Sequence, residues 1–229
     1  KRNLMSVYFT PAFNKFFIDL APNNNKDWFD VNRNRYEQDV KLPFRGFTAD
    51  VIKEISKIDP TVKMEAKDAI FRINRDIRFS KDKYPYKMHM AAAVSRLGKK
   101  EPDVCGFYFQ LNPEKIQIWH GAYFIETPTL HQLRNYIAAN LKTFTKLQRS
   151  KKFVDYYGEV VGDGNSRLSK ELKAAAEQEP LLFHKNLYWG AELPAKMITS
   201  KDLLKTIIEH YKAGKAMADF IDEGMKGKQ

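Results

Sequence analysis

The sequence predicts an α+β fold: helices first, a central antiparallel meander sheet of about four or more strands, and helices again. Three observations carry this. Apolar residues recur at helical spacing over residues 10–58, the period falls to two between residues 69 and 120, and helical spacing returns from residue 127.

Thr10 followed by Pro11 is a helix-start pair, and Phe13, Phe16, Phe17 and Leu20 share one face of the helix it opens. The polar run over 22–25 ends it. A second helix begins near Asn25 and places Trp28, Asn32, Tyr36 and Val40 in one column. Pro43 then starts a third with Phe44, Phe47, Val51, Ile55 and Ile58 inward, ended by Asp59 and Pro60. Strands are predicted over 69–79, 87–95, 104–111 and 115–120, the last two joined tightly through Asn112, Pro113 and Glu114. Connections this short favour antiparallel pairing. Thr127 and Pro128 start the next helix, with Leu130, Leu133, Ile137, Leu141, Phe144 and Leu147 on one stripe and Lys142, Lys146 and Arg149 on another face. Residues 153–197 read as irregular packing apart from a short helix over 170–177. A last helix runs from about Lys201, capped by Ser200, with Leu204, Ile207, Ile208, Tyr211 and Ala218 buried.

No Ser-, Gly- or Pro-rich linker divides the 229 residues, and 43% of them are hydrophobic, so a single domain over 1–229 is expected. The basic KRNLMSVYF start lacks an apolar core and a small-residue cleavage site, and nowhere do about eighteen apolar residues run together. A cytoplasmic protein with no membrane partner is the expectation. The first residue is Lys1, so a removed upstream segment stays open. The lone Cys105 has no partner for an internal disulfide.

The formal charge of +11 is concentrated: residues 72–100 carry a net +7, residues 141–152 a net +5, and all the rest a net −1. Such concentration attracts polyanions and phosphorylated or carboxylated small molecules, or simply improves solubility.

The centre of the first basic segment is RINRDIRFSKDKYPYK, residues 72–87. On a strand, Phe71, Ile73, Ile77 and Phe79 would face one way, interrupted by Arg75, with Arg72, Asn74, Asp76 and Arg78 opposite. A guanidinium among apolar neighbours needs a carboxylate, carbonyls or a bound anion, since an unpaired buried charge is strongly unfavourable. Six residues separate Arg72 from Arg78, about 20 Å along a straight strand. One phosphate therefore reaches both only if the chain folds back at the 80–85 turn. Asp82 and Pro85 shape that turn, and Lys83, Tyr84 and Tyr86 bring donors to it. Beyond it, Lys87 and His89 border Ala91 and Ala93, an arrangement that suits either a pocket floor or close packing of a helix.

RINRDIRFSKDKYPY resembles the signature of the domain of unknown function 2461 family, with Arg72, Arg75, Asp76, Arg78, Phe79, Asp82, Lys83 and Tyr86 at the matching positions. Residues 23–44 resemble that family's N-terminal helical segment. The resemblance implies a bacterial-type protein in which these residues form one unit, and it carries no established activity or cofactor.

The five histidines show no metal-binding spacing and one cysteine excludes cysteine-based zinc sites, so no metal is expected. Dinucleotide, phosphate-loop and serine-hydrolase signatures are absent as well. Trp119 at the end of the fourth strand reads as core, with His120 open. Three functional readings follow. In the first, Arg72, Arg75, Arg78, Lys83, Tyr86 and Lys87 bind a phosphorylated or carboxylated small molecule, Asp76 or His89 acts as acid or base, and Asp82, Pro85 and Phe79 are structural. In the second, the 72–100 and 141–152 segments hold a nucleic-acid backbone while Tyr84, Tyr86 or Tyr108 stacks on bases. In the third, Arg75, Asp76, Asp82 and Lys83 form an ion-pair network that pins the corner of a partner-binding protein.

Overall fold

The computed structural model describes residues 7–164 and 167–226. The reading of the N-terminal KRNLMSVYF therefore falls largely on residues 1–6, outside the described residues. The architecture is α+β: N-terminal helices, a four-stranded antiparallel sheet in the middle, and a C-terminal helix. The chain groups into two compact units, one of residues 1–94, 108–118 and 192–208, the other of residues 95–107, 119–191 and 209–229.

In the first unit, α1 (Pro11–Leu20) starts as predicted, with the Thr10 hydroxyl accepting from the Ala12 N–H and Phe13, Phe16, Phe17 and Leu20 buried. The Asn25 side chain accepts from the Trp28 N–H and caps α2 (Lys26–Val31). A single turn, α3 (Arg33–Arg35), a π-helical segment (Tyr36–Lys41) and α4 (Leu42–Ile58) follow. The Leu42 N–H bonds to the Glu37 carbonyl five residues back, one residue before Pro43, which has no N–H to give. Phe29 is buried where Trp28 was expected, while Tyr36 and Val40 are buried as expected. Eight aromatics, Phe9, Phe13, Phe16, Phe17, Phe29, Tyr36, Phe44 and Phe47, make a connected cluster of tilted and edge-on contacts.

The first predicted strand, 69–79, does not form a regular strand. Ala69 closes a short helix, α5 (Ala66–Ala69), and the following residues are extended but joined to the next segment only by isolated bridges, Ile70 to Ala92 and Asn74 to Tyr86. The Arg75 N–H bonds to the Pro85 carbonyl at 2.8 Å, but Pro85 has no N–H to return, so the ladder stops there. The sheet proper is β1 (Met90–Val94), β2 (Gly106–Leu111), β3 (Lys115–Ala122) and β4 (Leu187–Pro194), in that spatial order. Every residue of β1 is buried, and both α4 and α5 pack against it. Ala91 and Ala93 are buried with the rest of β1, so their small side chains lie under packing and leave no open floor. The fourth strand comes from the region read as irregular: its alternation is real at Leu187 and Trp189 but is obscured in sequence by Gly190 and Pro194.

In the second unit the predicted stripe over 127–147 is split at Asn140 into α6 (Thr127–Ala139) and α7 (Leu141–Gln148), followed by α8 (Lys151–Tyr157) and α9 (Lys173–Gln178). The last helix, α10 (Leu203–Lys226), whose residues 203–208 belong to the first unit and the rest to the second, buries Leu204, Ile207, Ile208, Tyr211 and Ala218 as predicted. Trp189, fully buried, anchors this unit against His120, Phe153 and Tyr157. Among the described residues no helix is long and apolar enough to cross a membrane.

Candidate functional site

Residues 72–87 form an irregular hairpin, and polar side chains hold its shape. Asn24 bonds twice to Tyr86: its Oδ1 accepts the Tyr86 N–H at 3.0 Å and its Nδ2 donates to the Tyr86 carbonyl at 2.9 Å. It thereby supplies what a neighbouring strand would. The Tyr86 ring stacks on Phe29, centroids 4.0 Å apart and planes 14° apart. One limb of the hairpin is thus fastened to the N-terminal helices by residues 24 and 29, which no motif reading had marked. The only sequence hint was that both fall in the 23–44 segment with its run of three asparagines.

Arg75 spans the turn. Its Nη1 donates to Asp82 Oδ2 at 2.5 Å and to the Tyr84 carbonyl at 3.1 Å, and its Nη2 reaches Ser80 Oγ at 3.4 Å. Its side chain is 27% exposed, half-buried rather than enclosed among apolar neighbours, and its charge is met by the Asp82 carboxylate. Asp82 also accepts the Tyr84 N–H at 2.9 Å, and that bond, followed by the one from Arg75, holds its carboxyl below the usual range. Arg78 grips Asp76 through Nε at 3.0 Å and Nη2 at 2.7 Å, lowering the Asp76 pKa and raising its own. Lys83 donates to the Ile77 carbonyl and Lys87 to the Arg72 carbonyl.

The structure therefore brings Arg75, Asp76, Arg78, Asp82 and Lys83 into one corner and ties Lys87 to the backbone of Arg72. Arg72 and Lys81 are exposed, and neither has an ion-pair partner among the described residues. Other expectations change. Phe79, expected inward, is 95% exposed, because the turn at Arg78 and Phe79 ends the extended alternation before it reaches that residue. Tyr86, expected to face a ligand, is buried at 6% exposure and acts as an anchor. Asp76, a candidate acid or base, is committed to Arg78. His89, the other candidate, is half-buried, and burial followed by the Lys87 charge pushes its pKa down to about 4, so it is neutral at physiological pH. Trp119, read as core, is 36% exposed, whereas its neighbour His120 is buried at 3% and stacks on Tyr211.

Most side chains of the corner are exposed. A cavity of about 530 Å³ in the same unit lies between α4 and the 64–67 segment, lined by Leu42, Arg45, Gly46, Ile52, Met64 and Lys67 among others, and includes no residue of the corner. Among the described residues no cluster of His, Cys, Asp or Glu is placed to hold a metal ion. No curated protein matches the chain. A family model described as conserved hypothetical protein (DUF2461) matches residues 12–220.

Proposed function

The chain belongs to the DUF2461 family of conserved hypothetical proteins, and from that premise we propose that the 72–87 corner is an anion-binding element that takes a phosphate or carboxylate group. The observation that carries this reading is the division of labour among its cations. Arg75 and Arg78 are spent on Asp82 and Asp76 and build the frame. Arg72 and Lys81 are left exposed on that frame without ion-pair partners among the described residues, and Lys83 has donors beyond its bond to Ile77. A cation held on a pinned backbone loses less conformational freedom on binding than one on a mobile loop. The exposure of the corner's side chains and the occupied state of Asp76 favour binding over catalysis. Its ligand is a phosphate or carboxylate carried on a molecule that lies along the surface.

A titration with pyrophosphate, citrate and a phosphoserine peptide, followed by backbone amide NMR shifts, tests this. Shifts should concentrate on residues 72–87 and disappear in the double variant Arg72→Ala with Lys81→Ala, which leaves the framework pairs alone. No shift with any of the three, or unchanged shifts in the double variant, would sink the proposal. A nucleic-acid reading draws on one specific feature, the two exposed rings Phe79 and Tyr84, at 95% and 57% exposure, since each offers a face on which a base can stack. Binding of a labelled single strand through about five phosphates would then weaken with salt along a log–log slope near −4. A flat dependence removes that reading.

A further inference from the structure

The second unit carries an exposed aromatic cluster separate from the corner. Trp119 is 36% exposed, Tyr123 57% and Phe124 65%, and Tyr188 links the first two. The Tyr188 centroid lies 5.7 Å from Trp119 with planes at 72°, and 5.6 Å from Tyr123 at 59°. Tyr123 meets Phe124 at 5.0 Å and 88°. Rings inclined this steeply to their neighbours do not make a flat platform. Tyr188 stands steeply against both Trp119 and Tyr123 and lies between them in the chain of ring contacts.

These rings are held in place although they are exposed. The Trp119 benzo ring lies directly on Gly190, where a Cβ would come within 2.3 Å of it. Gly190 is what allows the indole to rest on β4. The Tyr188 hydroxyl donates to Asp163 Oδ1 at 2.9 Å, and Asp163 Oδ2 accepts from Asn186 at 3.1 Å. The Phe124 carbonyl accepts the Asp103 N–H at 2.9 Å. An exposed apolar patch pinned in this way marks an interaction site more than incidental exposure does.

Charge narrows the occupant. The segments that carry the rings and Asp163, residues 119–126, 159–163 and 187–191, hold three carboxylates (Glu126, Glu159 and Asp163) and no lysine or arginine, in a chain of net charge +11. Lys185 lies close by, its side chain against Gly164, and Lys115, on the same face of β3 as Trp119, is paired with Glu192. Aromatic faces are electron-rich and attract cations, most strongly when several converge, and a fixed carboxylate at the rim adds to the attraction. We propose that Trp119, Tyr123 and Tyr188, with Phe124 at the margin and Asp163 at the rim, form a half-cage for a small quaternary ammonium compound.

Choline chloride is the probe and 3,3-dimethylbutan-1-ol its neutral isostere, with the Trp119 indole N–H followed by NMR in the full chain and assigned with Trp119→Phe. Choline should shift that resonance saturably, and the isostere should bind about tenfold more weakly. Tyr123→Leu should weaken choline by a similar factor while Tyr123→Phe, which keeps the ring, stays within about twofold of the parent. Tyr123 is exposed at the end of β3, so neither change disturbs the core. Equal binding of the isostere, no saturable shift with choline, or a shift only with a proline-rich or trimethyllysine peptide would each overturn the proposal.

Discussion

Replacing Asn24 by alanine tests how the corner is attached to its support. Asn24 is 7% exposed, and its amide satisfies both the N–H and the carbonyl of Tyr86, itself 6% exposed. Alanine leaves two buried backbone groups without a partner, at a cost of about 1–3 kcal/mol each when water cannot replace the lost bond. The expected loss is therefore about 2–6 kcal/mol, with the lower figure applying if a water enters the space vacated by the amide. For a chain of this size that is a fall in Tm of roughly 4–24 °C. Asn24→Asp is the informative companion. It keeps an acceptor for the Tyr86 N–H but turns a carboxylate oxygen toward the Tyr86 carbonyl, so it should be no more stable than the alanine variant. Urea unfolding at pH 7, read by tryptophan fluorescence and thermal circular dichroism, gives both values. A change in Asn24→Ala of less than about 0.5 kcal/mol at unchanged m-value, which is the range of an ordinary surface substitution, would refute the reasoning.

Gly214→Ala should destabilise by about 1–3 kcal/mol although the same change inside a helix ordinarily stabilises by about 1 kcal/mol, because the new Cβ would lie 2.4 Å from Trp189 Nε1 and 2.6 Å from His120 Nδ1. A rise in Tm would show that the buried indole yields. Acidification should lower stability between about pH 6.5 and pH 4. Burial lowers the pKa of His120 to about 3 and of His210 and His89 to about 4, each below the unfolded value near 6.5, so the unfolded chain binds more protons throughout that window. This contribution is fully present above the unfolded pKa, is lost as pH falls toward the folded values, and reaches about 1.4 kcal/mol per pH unit for each histidine. Urea midpoints that do not change between pH 7 and pH 5 would contradict it, and His120→Gln should reduce the slope by about one proton. Phe79→Ser, at a side chain 95% exposed, should change unfolding free energy by less than about 0.5 kcal/mol, and a larger loss in a urea melt would show that the ring packs in solution.

Much of the architecture was legible because it follows from short-range periodicity. The Thr10–Pro11 start, the Phe13 to Leu20 face, the inward residues of α4 and those of α10 depend only on which side chains share a face of one helix. The same holds for β2 and β3, and for the inference that Arg75 needs an internal partner, since Asp82 lies only seven residues away.

Periodicity ceases to inform where the chain leaves regular geometry or where the decisive partner is distant in sequence. Alternation around Arg75 was extrapolated to Phe79, but the turn at Arg78 reverses the chain and puts that ring in water. Tyr86 looked like a ligand donor until Asn24, 62 residues earlier, and Phe29 were seen to enclose it. Trp119 looked like core, but Gly190, 71 positions later in the chain, leaves its ring a shelf on the outside of β4. By itself the sequence determined which faces are apolar, where the positive charge gathers and that Arg75 must be neutralised, because these depend on neighbours a few bonds away. Tertiary structure alone decided which cations remain free, which aromatics meet solvent and which loop backbone is fastened down, because burial and pairing depend on distances in space between residues far apart along the chain.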